Sequence, residues 1–323
     1  MSDLAPGDGP QAAHSAAFYG GPGEFITCVR TFVDQGLDGA ELVLVAVPSP
    51  SIAVLHEHLD GHVERVSWAD MTQIGANPAR IIPAIRAFAG TYPGHRVRCI
   101  AQPLWEARTA AQRRETVRHE ALINLAFTDI PVSILCPYDM TWADGSIAAS
   151  ARLTHPMLIR DGAAQPSSGY DATAPLPAEY DGPLDAVPDH AAVLAYRDDL
   201  HRVRAFVTEH ASSTEAAPGR VGDLVLSVSE LAANSYRHTS SGGTVSIWAT
   251  GDELIGQVQD SGHISDPLTG RRIPAPGQGG GQGIWLVHQL CDLVEIRTGP
   301  AGTVIRLHVQ LRPGASQTPL TAP

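Results

Sequence analysis

The first half of the chain alternates short apolar runs with amphipathic stretches. Glu41–Val47 reads ELVLVAV, a near-continuous apolar run of the kind a strand shows when both faces of a mainly parallel sheet are covered. Further strands are predicted at Arg96–Ile100 and Val132–Cys136, with helices at Glu24–Gln35, Pro78–Ala89 and Ala110–Ala126, an alternation that indicates an α/β domain. Between Asp161 and Asp189 the pattern lapses into five prolines and many small residues, which predicts an interdomain linker over residues 161–188. Beyond it the order changes. Helices are predicted at Ala191–Glu209 and Val221–His238 and strands at Thr244–Ala249 and Glu253–Gln259. A Gly- and Pro-rich loop, a helix at Gly283–Leu290 and strands at Leu293–Arg297 and Thr303–Val309 follow. This is an α+β layer with helices on one face of a mixed sheet. The domains expected are therefore residues 13–160 and 189–312, flanked by disordered tails at 1–12 and 313–323.

Composition narrows the function. A chain of 323 residues suits two ordinary domains, and 43% hydrophobic with 17% charged residues is a globular balance. A net charge of −12 argues against direct nucleic-acid binding, which rests on Lys and Arg neutralising phosphates. The N-terminus has no basic start with an apolar core, and no run of 18 apolar residues occurs, so no membrane association and a cytoplasmic location are expected. Cys28, Cys99, Cys136 and Cys291 are far apart and form no CxxC pair, so reduced, mostly buried thiols are expected.

Three segments carry candidate chemistry. In VGDLVLSVSELAANSYRHT, Val221, Leu224, Val228, Leu231 and Ser235 share one buried stripe. Ser227, Glu230, Asn234 and His238 fall on the opposite side, so Glu230 and Asn234 are neighbours one turn apart. A carboxylate beside a carboxamide can serve as a base and a magnesium ligand, although a solvated helix face has the same spacing. In QVQDSG, Asp260 ends an apolar strand before Gly262; it can accept from an adenine amino group or be an ordinary turn aspartate. In GQGGGQGIWLVHQLCD, glycines lead into an apolar helix, which suits either phosphate binding at the helix start or a flexible hinge. The run has no GK[ST] ending and no strand directly before it, which excludes a Walker loop and a dinucleotide fold.

In their order these segments resemble a known superfamily. ELAANSYRHT is similar to the N box of the GHKL ATPases (gyrase, Hsp90, histidine kinase, MutL) and DSG to the first glycine box. GGGQGIWLVHQLCD followed by GTVIRLHV resembles the second glycine box and closing strand of RsbW-type anti-sigma kinases. The N-terminal half resembles the MEDS sensory domain, a degenerate relative of RecA-like ATPases, through HSAAFY, ELVLVAV, RHEALINLAF and LCPYDM. There ELVLVAV runs into PSPSI, with no phosphate loop, so no nucleotide is expected at that end. Together the two resemble the actinobacterial RsbA-family regulators.

The resemblance implies ATP and Mg2+ as cofactors. It makes Asn234 the magnesium ligand and Glu230 the polarising base. Asp260 would recognise adenine with Thr303 in support, Gly262 would shape that pocket, and Gly281 and Gly283 would hold phosphates. The loop from Gly262 to Gly279, with Arg271 and Arg272, would be the lid. The implied function is an anti-sigma factor and protein-serine/threonine kinase. It would sequester a sigma factor and phosphorylate a STAS-domain antagonist under control of the sensory domain, with room for a homodimer. Ile264 stands where a second glycine is usual, which keeps open an ATP- or sigma-binding module without turnover. A sensor histidine kinase using His119 is disfavoured, because the chain after that helix returns to strand and linker. His56, His58 and His62 read as a polar surface segment rather than a metal site.

Overall fold

The computed structural model describes residues 13–59, 61–160, 162–239, 241–274 and 282–312. The expected tails at 1–12 and 313–323, and Gly277, Gly279, Gly280 and Gly281 of the glycine run, lie outside the described residues.

The N-terminal elements are β1 (Ala13–Tyr19), α1 (Pro22–Asp38), β2 (Leu42–Val47), α2 (Ser49–His58), β3 (Ser67–Asp70), α3 (Met71–Ile74), α4 (Ile81–Thr91), β4 (Val97–Ala101), α5 (Ala110–Ala126), β5 (Val132–Asp139), α6 (Gly145–Thr154), β6 (Met157–Arg160) and β7 (Ala163–Pro166). They build one seven-stranded sheet in the order β3-β2-β4-β5-β1-β6-β7, parallel except for the β6–β7 pair. Every residue of β2 after the first is buried, because one face packs under α4 and α5 and the other under α1 and α2. The ends of α5 follow from its sequence. Thr109 and Gln112 form a reciprocal capping box at its start.

The C-terminal elements are α7 (Ala178–Asp181), β8 (Ala192–Tyr196), α8 (Leu200–Ser212), α9 (Pro218–Thr239), β9 (Gly243–Thr250), β10 (Glu253–Asp260), α10 (Gln282–Leu290), β11 (Leu293–Gly299) and β12 (Gly302–Gln310). The second sheet has the order β11-β12-β10-β9-β8 with α8, α9 and α10 packed on one face. Its ladders are all antiparallel, where a mixed sheet was expected. A second correction concerns the helix predicted at Ala191–Glu209. Its first part is the edge strand β8, in which Leu194 and Tyr196 alternate inward while Val193 faces solvent. The helix starts only at Leu200, where the Asp199 carboxylate accepts from the Arg202 N–H at 2.8 Å. The Pro-rich stretch is tied down in part: Ala163–Pro166 pairs as β7, and the carbonyls of Tyr180, Gly182 and Asp185 accept from Arg297 and Arg306.

Candidate functional site

Three elements converge at one end of the second sheet. α9 buries Leu224, Val228 and Leu231 against the sheet and presents Glu230 and Asn234, both half-buried, toward the start of α10. β10 ends on Asp260, which stands opposite Thr303 of β12 in the ladder. α10 begins at Gln282, and its second residue, Gly283, passes so close to α9 that an added Cβ would lie 3.1 Å from Glu230 Oε2 and 3.2 Å from Asn234 Nδ2. Between them is a cavity of about 540 Å³ lined by Glu230, Asn234, Asp260, Gly262, Gly283 and Thr303 among others, a size that accommodates an ordinary small-molecule ligand.

The floor of the cavity is a hydrogen-bonded relay. The Gly262 N–H donates to Asp260 Oδ1 at 2.7 Å, and the Ser235 hydroxyl donates to Asp260 Oδ2. Thr303 donates to the Gly262 carbonyl at 2.9 Å and exchanges a hydrogen bond with Thr298, whose hydroxyl also receives the Ile264 N–H at 3.0 Å. Two protein donors occupy part of the roughly four lone-pair sites of the Asp260 carboxylate, so it retains capacity for a ligand amino group. Asn234 Oδ1 accepts from Arg237 at 2.8 Å and likewise keeps a free lone pair. Gly302 holds the turn that brings β12 under Asp260. Its φ of 116° is open to glycine, and a Cβ there would overlap the Asp260 carbonyl oxygen. The chemistry of the set, an acceptor for an amino group at one end and a carboxylate and carboxamide beside a helix start at the other, fits a nucleotide with a magnesium ion.

Some expected placements differ. Ser227, expected on the polar side of α9, is buried under α10, where it accepts from the Cys291 thiol at 3.4 Å. Arg271 and Arg272 are absent from the described cavity wall. Arg271 is buried and faces Glu115 of α5 at 3.6 Å, and Arg272 faces Asp266 at 3.6 Å. Ile264 packs against the C-terminal core. Ser235 and Thr298, which orient Asp260 and Thr303, were not singled out; a hydroxyl on the buried stripe of α9 is the one signal that pointed to Ser235. His119 is fully buried, neither ring nitrogen has a partner among the described residues, and burial lowers its pKa to about 3. The histidine-kinase alternative therefore has no accessible acceptor there. His56 meets Trp68 edge to face, His58 bonds the Val54 carbonyl and His62 pairs with Asp34, so the three do not share a centre.

The far end of α10 meets the N-terminal domain. Arg80 donates to the carbonyls of His288, Gln289 and Cys291 at 2.7, 2.8 and 2.8 Å, and Asn77 adds a bond to His288 O at 3.2 Å. These carbonyls end a helix and would otherwise lack partners. On α5, Glu115 accepts from Arg297 of β11 at 2.7 Å. Leu268, in the loop over the cavity, is buried in the N-terminal core. None of the helices among the described residues is long and apolar enough to cross a membrane.

Comparison with known families divides the chain at the same place. A MEDS family model (MEthanogen/methylotroph, DcmR Sensory domain) matches residues 13–156, and a histidine kinase-like ATPase domain matches residues 193–309. No curated protein matches. Among solved structures, the RsbU and RsbW domains of Rv1364c from Mycobacterium tuberculosis match at 21% identity with a TM-score of 0.30, over 39% of this chain and 34% of that one. The present chain thus aligns with about a third of the length of that chain.

Proposed function

Because the chain carries a MEDS sensory domain ahead of a histidine kinase-like ATPase domain, we propose that it is an anti-sigma factor and protein-serine/threonine kinase. It binds ATP and magnesium in the C-terminal cavity, sequesters a sigma factor and phosphorylates a STAS-domain antagonist, and the N-terminal domain gates these acts. The observation that carries the reading is the convergence of Glu230, Asn234, Asp260, Gly262, Gly283 and Thr303 on one cavity.

Each residue then has one task. Asp260, oriented by Ser235 and the Gly262 N–H, accepts from the adenine amino group, and Thr303 fixes the turn beside it. The N–H groups at the start of α10 face the phosphates, favoured by the helix dipole. Gly281, outside the described residues, is assigned to the same task. Asn234 holds the metal. Bound ATP and magnesium supply the transferable phosphoryl group and neutralise its charge. Glu230, one turn from Asn234, takes the proton of the attacking hydroxyl as the new O–P bond forms and ADP departs, so the chain contributes positioning and a base.

The test begins with a pull-down from native cytoplasm with and without ATP to identify the sigma factor and antagonist. Glu230→Ala and Asn234→Ala are then each expected to lower transfer of labelled phosphate from ATP to that antagonist by about 10²–10⁴-fold. Unchanged transfer in both variants refutes the mechanism.

One observation favours a second reading, a binding module without turnover. Ile264 is packed, its N–H is held by Thr298, and Leu268 and Arg271 of the same loop are buried against the N-terminal domain, so the loop is anchored at three points. Isothermal titration with ATP beside the phosphotransfer assay separates the two: binding without transfer selects the module.

A further inference from the structure

A cluster outside the nucleotide cavity has ligand chemistry. His14 on β1, Glu120 on α5, Cys136 on β5 and His155 just after α6 are all buried, and one ligand atom from each lies within 4.8 Å of all the others. The topology explains the meeting. Ala16 stands opposite Cys136 in the parallel β1–β5 ladder, so His14, two residues earlier, shares that face of the sheet, which α5 covers. We propose that these four side chains form a binding site for a divalent transition metal ion, zinc in the first instance.

Geometry supports this first. His14 Nε2 lies 3.1 Å from Glu120 Oε2, Cys136 Sγ lies 3.5 Å from both, and His155 Nε2 lies 3.5 Å from the same oxygen. Zinc bonds of about 2.0–2.3 Å in a tetrahedron put ligand atoms on edges of about 3.3–3.8 Å, close to these spacings.

The outer partners fix the ring tautomers. The Asn124 amide donates its Nδ2 hydrogens to the carbonyls of Thr154 at 2.8 Å and Ala121 at 3.3 Å. Its Oδ1 therefore faces His14 Nδ1, 3.1 Å away, and can only accept. The Ala151 carbonyl, 2.8 Å from His155 Nδ1, also only accepts. Each neutral imidazole thus carries its hydrogen on Nδ1 and turns the Nε2 lone pair inward, the arrangement found where an outer acceptor orients a metal-bound histidine. A shared proton can join His14 to Glu120, but it leaves His155 Nε2, fully buried, without a hydrogen-bond partner among the described residues. A metal ion satisfies both rings at once.

Charge points the same way. One thiolate and one carboxylate neutralise a dication, so the loaded site buries no net charge. The other carboxylate oxygen of Glu120 accepts from the Tyr138 hydroxyl at 3.4 Å, which leaves Oε2 for the metal. A nitrogen, sulfur and oxygen set of four protein ligands selects zinc over magnesium or calcium and leaves no open position for hydrolytic water. The ion would tie α5 to the sheet five residues from Glu115, which bonds Arg297 of the ATPase domain.

The test uses the full chain. Protein purified without chelator is expected to hold one equivalent of zinc by plasma mass spectrometry. After stripping, cobalt(II) should restore one equivalent with the intense visible bands of a tetrahedral site and a thiolate-to-cobalt charge-transfer band. Cys136→Ser should remove the charge-transfer band, and His155→Gln should weaken cobalt binding on the order of a hundredfold or more. Circular dichroism establishes that each variant is folded, and the stripped wild-type protein keeps the proposal decidable where a variant is not. Stripped, folded protein that takes up no cobalt overturns the proposal, as does a cobalt spectrum unchanged by Cys136→Ser.

Discussion

His308 shows how a single side chain can set the pH range of stability. It lies on the face of the second sheet away from the helices, with Nδ1 3.0 Å from Glu253 and Nε2 3.1 Å from Glu295. Burial works to lower its pKa, but the hydrogen bonds and charges of the two carboxylates outweigh burial and raise it from 6.5 to about 9. A folded-state value above the unfolded one means that the protonated ring stabilises the fold fully below about pH 6.5, and that this contribution fades as pH rises through 9. The difference corresponds to about 3 kcal/mol. Urea unfolding of the wild-type protein should therefore lose about 2–3 kcal/mol between pH 6.5 and 9.5, and His308→Gln should flatten that slope. Equal slopes in the two proteins would show that the carboxylates do not hold the proton.

At the scale of elements, the approach of α10 to α9 separates function from stability at Gly283. A methyl group there would come closest to the ends of the Glu230 and Asn234 side chains, which can move, while alanine gains up to about 1 kcal/mol over glycine in a helix. Gly283→Ala should thus keep or raise the melting temperature yet weaken ATP binding about tenfold or more, a cost of at least about 1.4 kcal/mol, by displacing the two polar groups and filling the approach to the helix start. A variant that binds ATP as the wild type does would remove α10 from the phosphate site. Such a split was legible in the sequence because α9, β10 and α10 each carry a strong periodic signal next to a chemical one. The doubly buried β2 and the capped α5 were legible for the same reason, since apolar runs and caps are local. What escaped depends on contacts between distant segments. β1, rich in Ala and Ser, has little strand character of its own and is fixed by β5 and β6 on either side. β8 read as helix because its apolar residues continue into α8 without a glycine or proline between them. Ser227, expected on the polar side, is buried because α10 rather than solvent covers that side of α9. The four candidate metal ligands come from four separated segments, so no spacing announced them.

Across the whole molecule, the two domains meet on the helix that reaches the cavity. Arg80 and Asn77 bind the carbonyls at the end of α10, Glu115 binds Arg297, and the loop that borders the cavity buries Leu268 in the N-terminal core. A second cavity, of about 480 Å³, lies along this seam. It is lined by Asn124 and Thr154, which border the histidine cluster, and by Ile264, Asp266 and Thr269, which also line the C-terminal cavity. A ligand or metal that shifts α5 would act on groups connected to the C-terminal cavity, and linkage then requires a ligand of that cavity to act back on the N-terminal domain by the same free energy. Arg80 is the place to break that link. Its guanidinium is buried and makes three bonds to backbone carbonyls, while touching neither the C-terminal cavity nor the histidine cluster. Arg80→Ala should leave the Gln289 carbonyl without its partner and the His288 and Cys291 carbonyls to the Asn77 amide alone, destabilising the interface by about 1–3 kcal/mol, without unfolding either hydrophobic core. In hydrogen exchange, ATP should slow exchange in α4 and α5 of the wild-type protein, and this effect should vanish in Arg80→Ala while protection at the cavity itself persists. If ATP protects the N-terminal helices equally in both proteins, the coupling does not run through the end of α10.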